Sequence, residues 1–255
     1  MKKISFVFDK NKKAQYLKKI FLKKYRNLPL KKSDLIVVGG GDGFMLKTIK
    51  HLYKFKKPFY GINCGSVGFL LNRYMTQKIS EKINRSKIST IYPLQVQTLN
   101  KNRKKNSFLA VNELSLFRQS KQTSLLQLKI KKKVLIKKLV GDGILISTPA
   151  GSTAYNLSVN GPILSLNSKK LAITPISPFR PRRWKGKIVS DRTNIFIHNL
   201  DPKKRPVAAV ADNNEIRNVV SIKASINKAI KIKLLFNSKE SLLKKIKSEQ
   251  KRKIS

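Results

Sequence analysis

Apolar residues recur along this chain in two textures. Up to about residue 90, short apolar runs alternate with stretches of helical period. Residues 3–8 (Lys-Ile-Ser-Phe-Val-Phe) predict a strand, and Ala14, Leu17, Phe21 and Tyr25 then recur at about 3.6 residues. That spacing predicts an amphipathic helix with its lysines outward. Residues 34–38 are a second apolar run, rich in branched residues, and residues 58–62 are a third. Between them, Phe44, Met45, Ile49 and Leu52 fall at roughly helical spacing. Strands alternating with helices predict parallel βαβ units. In such sheets ligands sit beyond the carboxyl ends of strands.

From about Tyr92 the pattern shortens. Leu94, Val96 and Thr98 alternate with polar residues, as do Leu126, Leu128 and Ile130, and then Val134 and Ile136. Similar runs lie at 195–197, 207–210 and 230–234. Many short strands at such spacing predict an antiparallel β domain. The expected organisation is an α/β domain over 1–91, with a parallel sheet, and a β-rich domain over 92–237. Beyond Ser238, the stripe Leu242, Leu243, Ile246 predicts a closing helix. It would pack back on the first domain, so that 238–255 joins 1–91.

Charge changes the picture less than its size suggests. The chain has 57 Lys+Arg against 12 Asp+Glu, a net +45. Lysine pairs punctuate it throughout, from 2–3 and 18–19 to 203–204 and 244–245, and mark no single element. There is no zinc-finger spacing, no aromatic RNA-binding signature and no heptad zipper. The charge reads as dispersed solvated lysine, and no specific nucleic-acid partner is expected, although anionic substrates are attracted at long range. The single cysteine, Cys64, excludes an intramolecular disulfide and suits a reducing compartment. No apolar run approaches a membrane span. These features predict a soluble cytoplasmic protein without membrane contact.

Candidate chemistry gathers in four places. Gly39-Gly-Gly-Asp-Gly43 follows the apolar run 34–38 and precedes a helix. Glycine lets the backbone approach a ligand, and the free N–H groups of a first helical turn favour an anion. Asp42 would repel phosphate there, so it does chemistry, holds a cation, or merely caps the turn. Residues 63–70 (Asn-Cys-Gly-Ser-Val-Gly-Phe-Leu) form a second loop. Phe69 is a core anchor or a stacking ring, and Cys64 reads as a small packed residue. Asn112-Glu113 is a polar pair inside apolar surroundings, and a buried carboxylate needs a partner. Residues 141–158 run from an apolar strand into a loop dense in Ser and Thr, with Tyr155 offering a ring with a polar tip, which suits a nucleotide-like ligand. A P-loop is excluded, because Leu46 stands where glycine must precede the lysine of Lys47-Thr48. Ser66 and Ser152 lack the hydrolase frame. His51 and His198 are isolated and are not metal ligands.

With these stretches together, the chain resembles NAD kinases of the compact bacterial type. Gly40-Gly-Asp-Gly43 looks like that family's glycine loop, and Asn63-x-Gly-x-x-Gly-Phe-Leu70 like its second loop. Asn112-Glu113 is similar to its Asn-Glu pair, and 141–158 to its Thr-Pro-x-Gly-Ser-Thr-Ala-Tyr segment. Residues 174–183 extend the likeness. The first motif also occurs in lipid kinases of the diacylglycerol type; the fourth points to the NAD branch. The resemblance implies an active site between the two domains. It implies transfer of a phosphoryl group from ATP, or polyphosphate in some members, to the 2′-hydroxyl of NAD's adenosine ribose, with Mg²⁺ bridging the phosphates. Carried onto this chain, Asp42 is the proton acceptor. Gly43, Lys47 and Phe69 lie with the substrates, and Asn112 and Glu113 bind ribose hydroxyls. Asp142, Ala150, Thr153, Ala154, Tyr155, Asn156, Leu157, Ser158 and Ser177 line the NAD site. The resemblance also implies a homodimer or homotetramer. Three positions depart from the family pattern: Ala150 where Thr is usual, Asn160 within a usual glycine pair, and Val140 where a basic residue is frequent.

Overall fold

β1 (Ile4–Phe8) leads through Asn11 into α1 (Lys12–Lys24). The Asn11 side chain accepts the Ala14 N–H, which satisfies one of the donors a helix start leaves open. α1 buries Ala14, Leu17 and Phe21, and stops before the extended Tyr25. These elements belong to a computed structural model that describes residues 2–66, 68–131 and 133–237.

β2 (Leu35–Gly40) is buried at every position. Its apolar continuity follows from its place: β1 pairs with it in parallel on one edge, and β3 (Phe59–Asn63) on the other. α2 (Asp42–Leu52) makes the crossover between β2 and β3. α3 (Ile79–Asn84) and β4 (Lys87–Ile91) follow.

The middle of the chain is nearly all strand. It comprises β5 (Leu94–Asn100), β6 (Lys105–Ala110), β7 (Glu113–Arg118), β8 (Ser124–Ile130), β9 (Lys133–Gly141) and β10 (Gly143–Ser147). After the short α4 (Tyr155–Ser158) come β11 (Lys170–Ile176), β12 (Lys187–Ser190), β13 (Ile195–Asn199), β14 (Val207–Ala211), β15 (Asn214–Ile216) and β16 (Val219–Ile226). They form two six-stranded antiparallel sheets, ordered β12-β11-β10-β7-β14-β15 and β6-β5-β16-β13-β8-β9. One core joins inward residues of both, among them Leu94, Val96, Leu114, Leu116, Leu126, Ile144, Ile173 and Ile222.

The chain forms two compact units, one built on residues up to Ile91 together with the chain from Ile230, the other on Tyr92–Ala229. Here the structure corrects the expected assignment of 230–237. β17 (Ile232–Phe236) pairs in parallel with β3 and antiparallel with β4, so it belongs to the first sheet, ordered β1-β2-β3-β17-β4. The alternation of Ile232, Lys233 and Leu234 looks the same in either sheet, and only the pairing partner decides. The antiparallel β4 also makes that sheet mixed, where a parallel one was expected. Asn72 locks the insertion. It is fully buried, its amide donates to the carbonyls of Gly61 and Leu235, and its oxygen accepts the Asn237 N–H. The expected closing helix falls on 238–255, outside the described residues.

Candidate functional site

Two clusters of polar groups stand out, one in each unit. The first lies at the carboxyl end of β2. The strand runs through Gly39 and Gly40, Gly41 is the N-cap, and Asp42 opens α2. The glycines divide by what surrounds them. A Cβ at Gly39 would fall 2.7 Å from the Phe8 ring, and one at Gly40 2.6 Å from Phe44, so packing alone requires glycine at both. At Gly41 and Gly43 a Cβ would meet nothing within 4 Å. Among the described residues no neighbour explains those two, and they leave an open approach to the first turn of α2. Lys47, exposed, stands one helical turn beyond Gly43 on the same face.

The Asp42 carboxylate is held by the second loop. Oδ2 accepts the Phe69 N–H at 2.7 Å and Oδ1 the Leu70 N–H at 3.0 Å. That loop is tied to the sheet through the Cys64 N–H to the Gly40 carbonyl and through Asn63, whose side chain accepts the Gly65 N–H. Cys64 is buried, and burial pushes its thiol up to about 11, so it is a packing residue and no nucleophile.

The second cluster sits where β7 begins. Asp212, at φ +53 in the two-residue turn between β14 and β15, reaches across to it. Its carboxylate accepts the N–H groups of Val111 (2.9 Å), Asn112 (2.8 Å) and Glu113 (3.4 Å), and its own N–H donates to the Glu113 carbonyl. On the other side, Thr148 donates its hydroxyl to the Val111 carbonyl and its N–H to the Asn112 carbonyl. Gly151 closes on the same backbone: a Cβ there would lie 2.2 Å from the Asn112 oxygen. The Thr-Pro-Ala-Gly turn is thus shaped by contact with the Asn-Glu pair.

Three polar atoms of this cluster are buried without a hydrogen-bond partner among the described residues: Asn112 Oδ1, Glu113 Oε2 and Thr153 Oγ1. Buried polar atoms in native proteins are normally satisfied; Ser80, Thr98, Ser120 and Ser168 also hold such an atom, but Asn112 and Glu113 are two in succession, which suits a ligand at this place. Burial, and after it the Asp212 charge, pushes the Glu113 carboxyl up to about 8. The Tyr155 ring lies 5.6 Å from that of Phe117, tilted by 43°, and burial, with Asp142 and Glu113 nearby, raises its hydroxyl. Asp142 is paired with Arg118.

A family model described as the ATP-NAD kinase C-terminal domain matches residues 111–243. The NAD kinase of Zymomonas mobilis is 42% identical over 241 residues, covering 94% of this chain and 92% of that protein. That of Caulobacter vibrioides is 39% identical over 248 residues, with 97% and 95% covered. The chain belongs to the NAD kinase family. The fold agrees at greater distance. A yeast NADH kinase complexed with NADH matches with TM-score 0.76 at 22% identity over 90% of this chain and 70% of that one. An NAD kinase from Archaeoglobus fulgidus in complex with ATP matches with TM-score 0.73 at 21% identity, over 96% and 98%.

The residues expected from sequence fall unevenly around these clusters. Asp42 and the backbone of Phe69 meet directly, and Asn112, Glu113, Asp142, Thr153 and Tyr155 gather at β7 and α4. Asn156 is occupied internally: its amide donates to the Ser152 and Pro162 carbonyls and its oxygen accepts the Thr174 hydroxyl. Ala150 is buried, Ala154 and Leu157 are half-buried, and Ser158 is exposed. Ser177, at φ +45, presents its carbonyl to Gly141. Asn160 has φ +61, a left-handed position that asparagine tolerates, which explains how it replaces a glycine. Asp212 and Thr148 were missed. The turn chemistry of Ala211-Asp-Asn-Asn214 signals a hairpin, but nothing in it points to a pair 100 residues earlier.

Proposed function

We propose that this protein transfers the γ-phosphoryl group of ATP to the 2′-hydroxyl of the adenosine ribose of NAD, with Asp42 receiving the hydroxyl proton. Near full-length similarity to NAD kinases makes the protein an NAD kinase; the residue roles are the present reading. The observation that carries it is the Asp42 carboxylate, clamped by two backbone N–H groups beside two glycines that no protein neighbour requires. Phosphoryl transfer needs positioning, charge stabilisation and one group to take the proton. The clamp holds the acceptor still, and the open glycines with the first-turn N–H groups of α2 suit phosphate.

Asn112, Glu113 and Thr153 supply the hydrogen bonds that ribose hydroxyls would complete, since each holds a buried polar atom without a partner. Tyr155, Asp142 and Ala150 line this cluster. Mg²⁺ suits the donor, because a hard cation carried on phosphate oxygens needs only one or two protein carboxylates. The ion would come bound to the ATP phosphates, and Asp42 keeps the proton-acceptor role. Bound, the ion neutralises charge developing on the transferred phosphoryl group. Polyphosphate is an alternative donor, a homodimer or homotetramer the proposed assembly and the cytoplasm the proposed location. No described helix is long and apolar enough to cross a membrane.

The test is a coupled assay for NADP⁺ from NAD⁺, ATP and Mg²⁺. Steady formation of NADP⁺ with purified protein is expected. Its absence with NAD⁺ and either donor, from folded protein, refutes the reading.

A further inference from the structure

We propose that Asp212 is a positioning residue for nucleotide recognition: its carboxylate, bonded to the N–H groups of Val111, Asn112 and Glu113, fixes the backbone from which Asn112 and Glu113 meet the nucleotide and sets how the buried Glu113 side chain bonds to it. This rests on the reading that Glu113 binds a ribose hydroxyl.

The geometry comes first. A single carboxylate collects the N–H groups of three successive residues, Val111, Asn112 and Glu113, and the Asp212 N–H returns a bond to the Glu113 carbonyl. These residues precede or open β7, where the ladder to β14 has not begun: the first paired residue is Leu114, opposite Ala211. On the β14 side, Asp212 receives the donors that the ladder there does not reach. The left-handed backbone of Asp212 is what turns its side chain back over that gap.

The second consequence is electrostatic. Glu113 faces Asp212 from the β14–β15 turn and Tyr155 from α4, with Asp142 beyond Tyr155 already neutralised by Arg118. Opposite Glu113 on β10 stands Ser147, which carries no charge. Among the described residues, the charged group acting on Glu113 is the Asp212 carboxylate. Burial and a neighbouring carboxylate both penalise ionisation, and the buried Oε2 has no donor to stabilise a negative charge. Glu113 therefore keeps its proton at neutral pH, with a midpoint of about 8. A neutral carboxyl both donates and accepts, as a hydroxyl ligand requires.

The sign follows. The folded carboxyl sits above its ordinary value, so the donor form is present below the midpoint and is lost as pH rises through it. The Michaelis constant for NAD⁺ should rise as pH passes about 8. Glu113→Gln, whose amide donates and accepts at every pH, should nearly keep the constant at neutral pH and flatten that dependence. Asp212→Asn removes the charge, so the rise should begin at lower pH, while turnover at saturating NAD⁺ changes less than the constant. Asp212→Glu keeps the charge and should keep the pH midpoint while weakening binding. Because the chain has only five glutamates, ¹³C labelling of glutamate reads the Glu113 titration directly in the wild-type protein, whatever the variants' folding. A Glu113 midpoint in the ordinary carboxylate range, or an Asp212→Asn profile identical to wild type, overturns the proposal. An unchanged Michaelis constant in Glu113→Ala, which removes the unpartnered oxygen, overturns the ribose reading instead.

Discussion

Replacing Asp42 with asparagine separates the roles this carboxylate can play. The change is not silent structurally. Asp42 accepts two backbone N–H groups, at 2.7 Å from Phe69 and 3.0 Å from Leu70. Asparagine has one acceptor oxygen, so its amide would face the remaining N–H, donor against donor. Losing one charge-assisted bond costs about 1.5–3 kcal/mol. At about 2–4 °C per kcal/mol for a chain of this size, the melting temperature should fall by roughly 3–12 °C. The chemical loss is larger. If Asp42 takes the proton in the transition state, turnover should fall by about 10²–10⁴, equivalent to about 2.7–5.5 kcal/mol. The assay is turnover of Asp42→Asn across a Mg²⁺ titration well below its melting point, with NAD⁺ binding measured alongside. The expected result is a large loss of turnover that Mg²⁺ does not restore, with NAD⁺ still bound. Retained turnover would refute the base role. Rescue at high Mg²⁺ would show that the lost function was cation affinity.

The glycines give a contrasting pair. Gly41→Ala should leave the melting temperature unchanged or slightly higher, because its Cβ meets nothing within 4 Å, yet raise the Michaelis constant for ATP; unaltered kinetics would mean no ligand passes there. Gly151→Ala drives a Cβ to 2.2 Å from the Asn112 oxygen and should cost about 1–3 kcal/mol in denaturant unfolding; a neutral result would contradict the packing of that turn on the Asn-Glu pair. Asn72→Ala leaves the Gly61 and Leu235 carbonyls and the Asn237 N–H unpaired, at about 1–3 kcal/mol for each buried group, and a loss under about 0.5 kcal/mol would show that water replaces the side chain. Binding to duplex DNA should be weak, roughly 10⁻⁴–10⁻⁶ M at physiological salt, because the lysines are dispersed; nanomolar sequence-selective binding would overturn that.

The candidate site was legible in the sequence where residues are anomalous for their surroundings. Asp42 among glycines at the end of an apolar run, and Asn112-Glu113 inside apolar surroundings, are anomalies of composition, and physical chemistry singles them out without a structure. Asn156 shows the limit of motif reading. It lies inside the most recognisable segment, yet its side chain is spent on Ser152, Pro162 and Thr174. A segment can be recognisable because it binds or because it folds, and the sequence carries both signals in one string. Asp212 shows the converse: its turn reads as an ordinary hairpin, and its importance exists only through the N–H groups it meets.

By itself the sequence determined the periods, and with them the helices and strands: Ala14, Leu17 and Phe21 face inward because 3.6-residue spacing puts them on one side. It also determined the turn chemistry and the charged residues that sit where charge is costly. Tertiary structure alone decided partners. β17 and the strands of the second unit share an alternating pattern, and pairing with β3 and β4 placed 232–236 in the first sheet. It decided which glycines answer to packing, 39 and 40, and which are open, 41 and 43. It decided that the Glu113 carboxyl is pushed up from its ordinary value, because that depends on burial and on a carboxylate 99 residues away in the chain. Period is a local property of the backbone, whereas pairing, burial and field arise from groups distant in sequence and adjacent only in the fold.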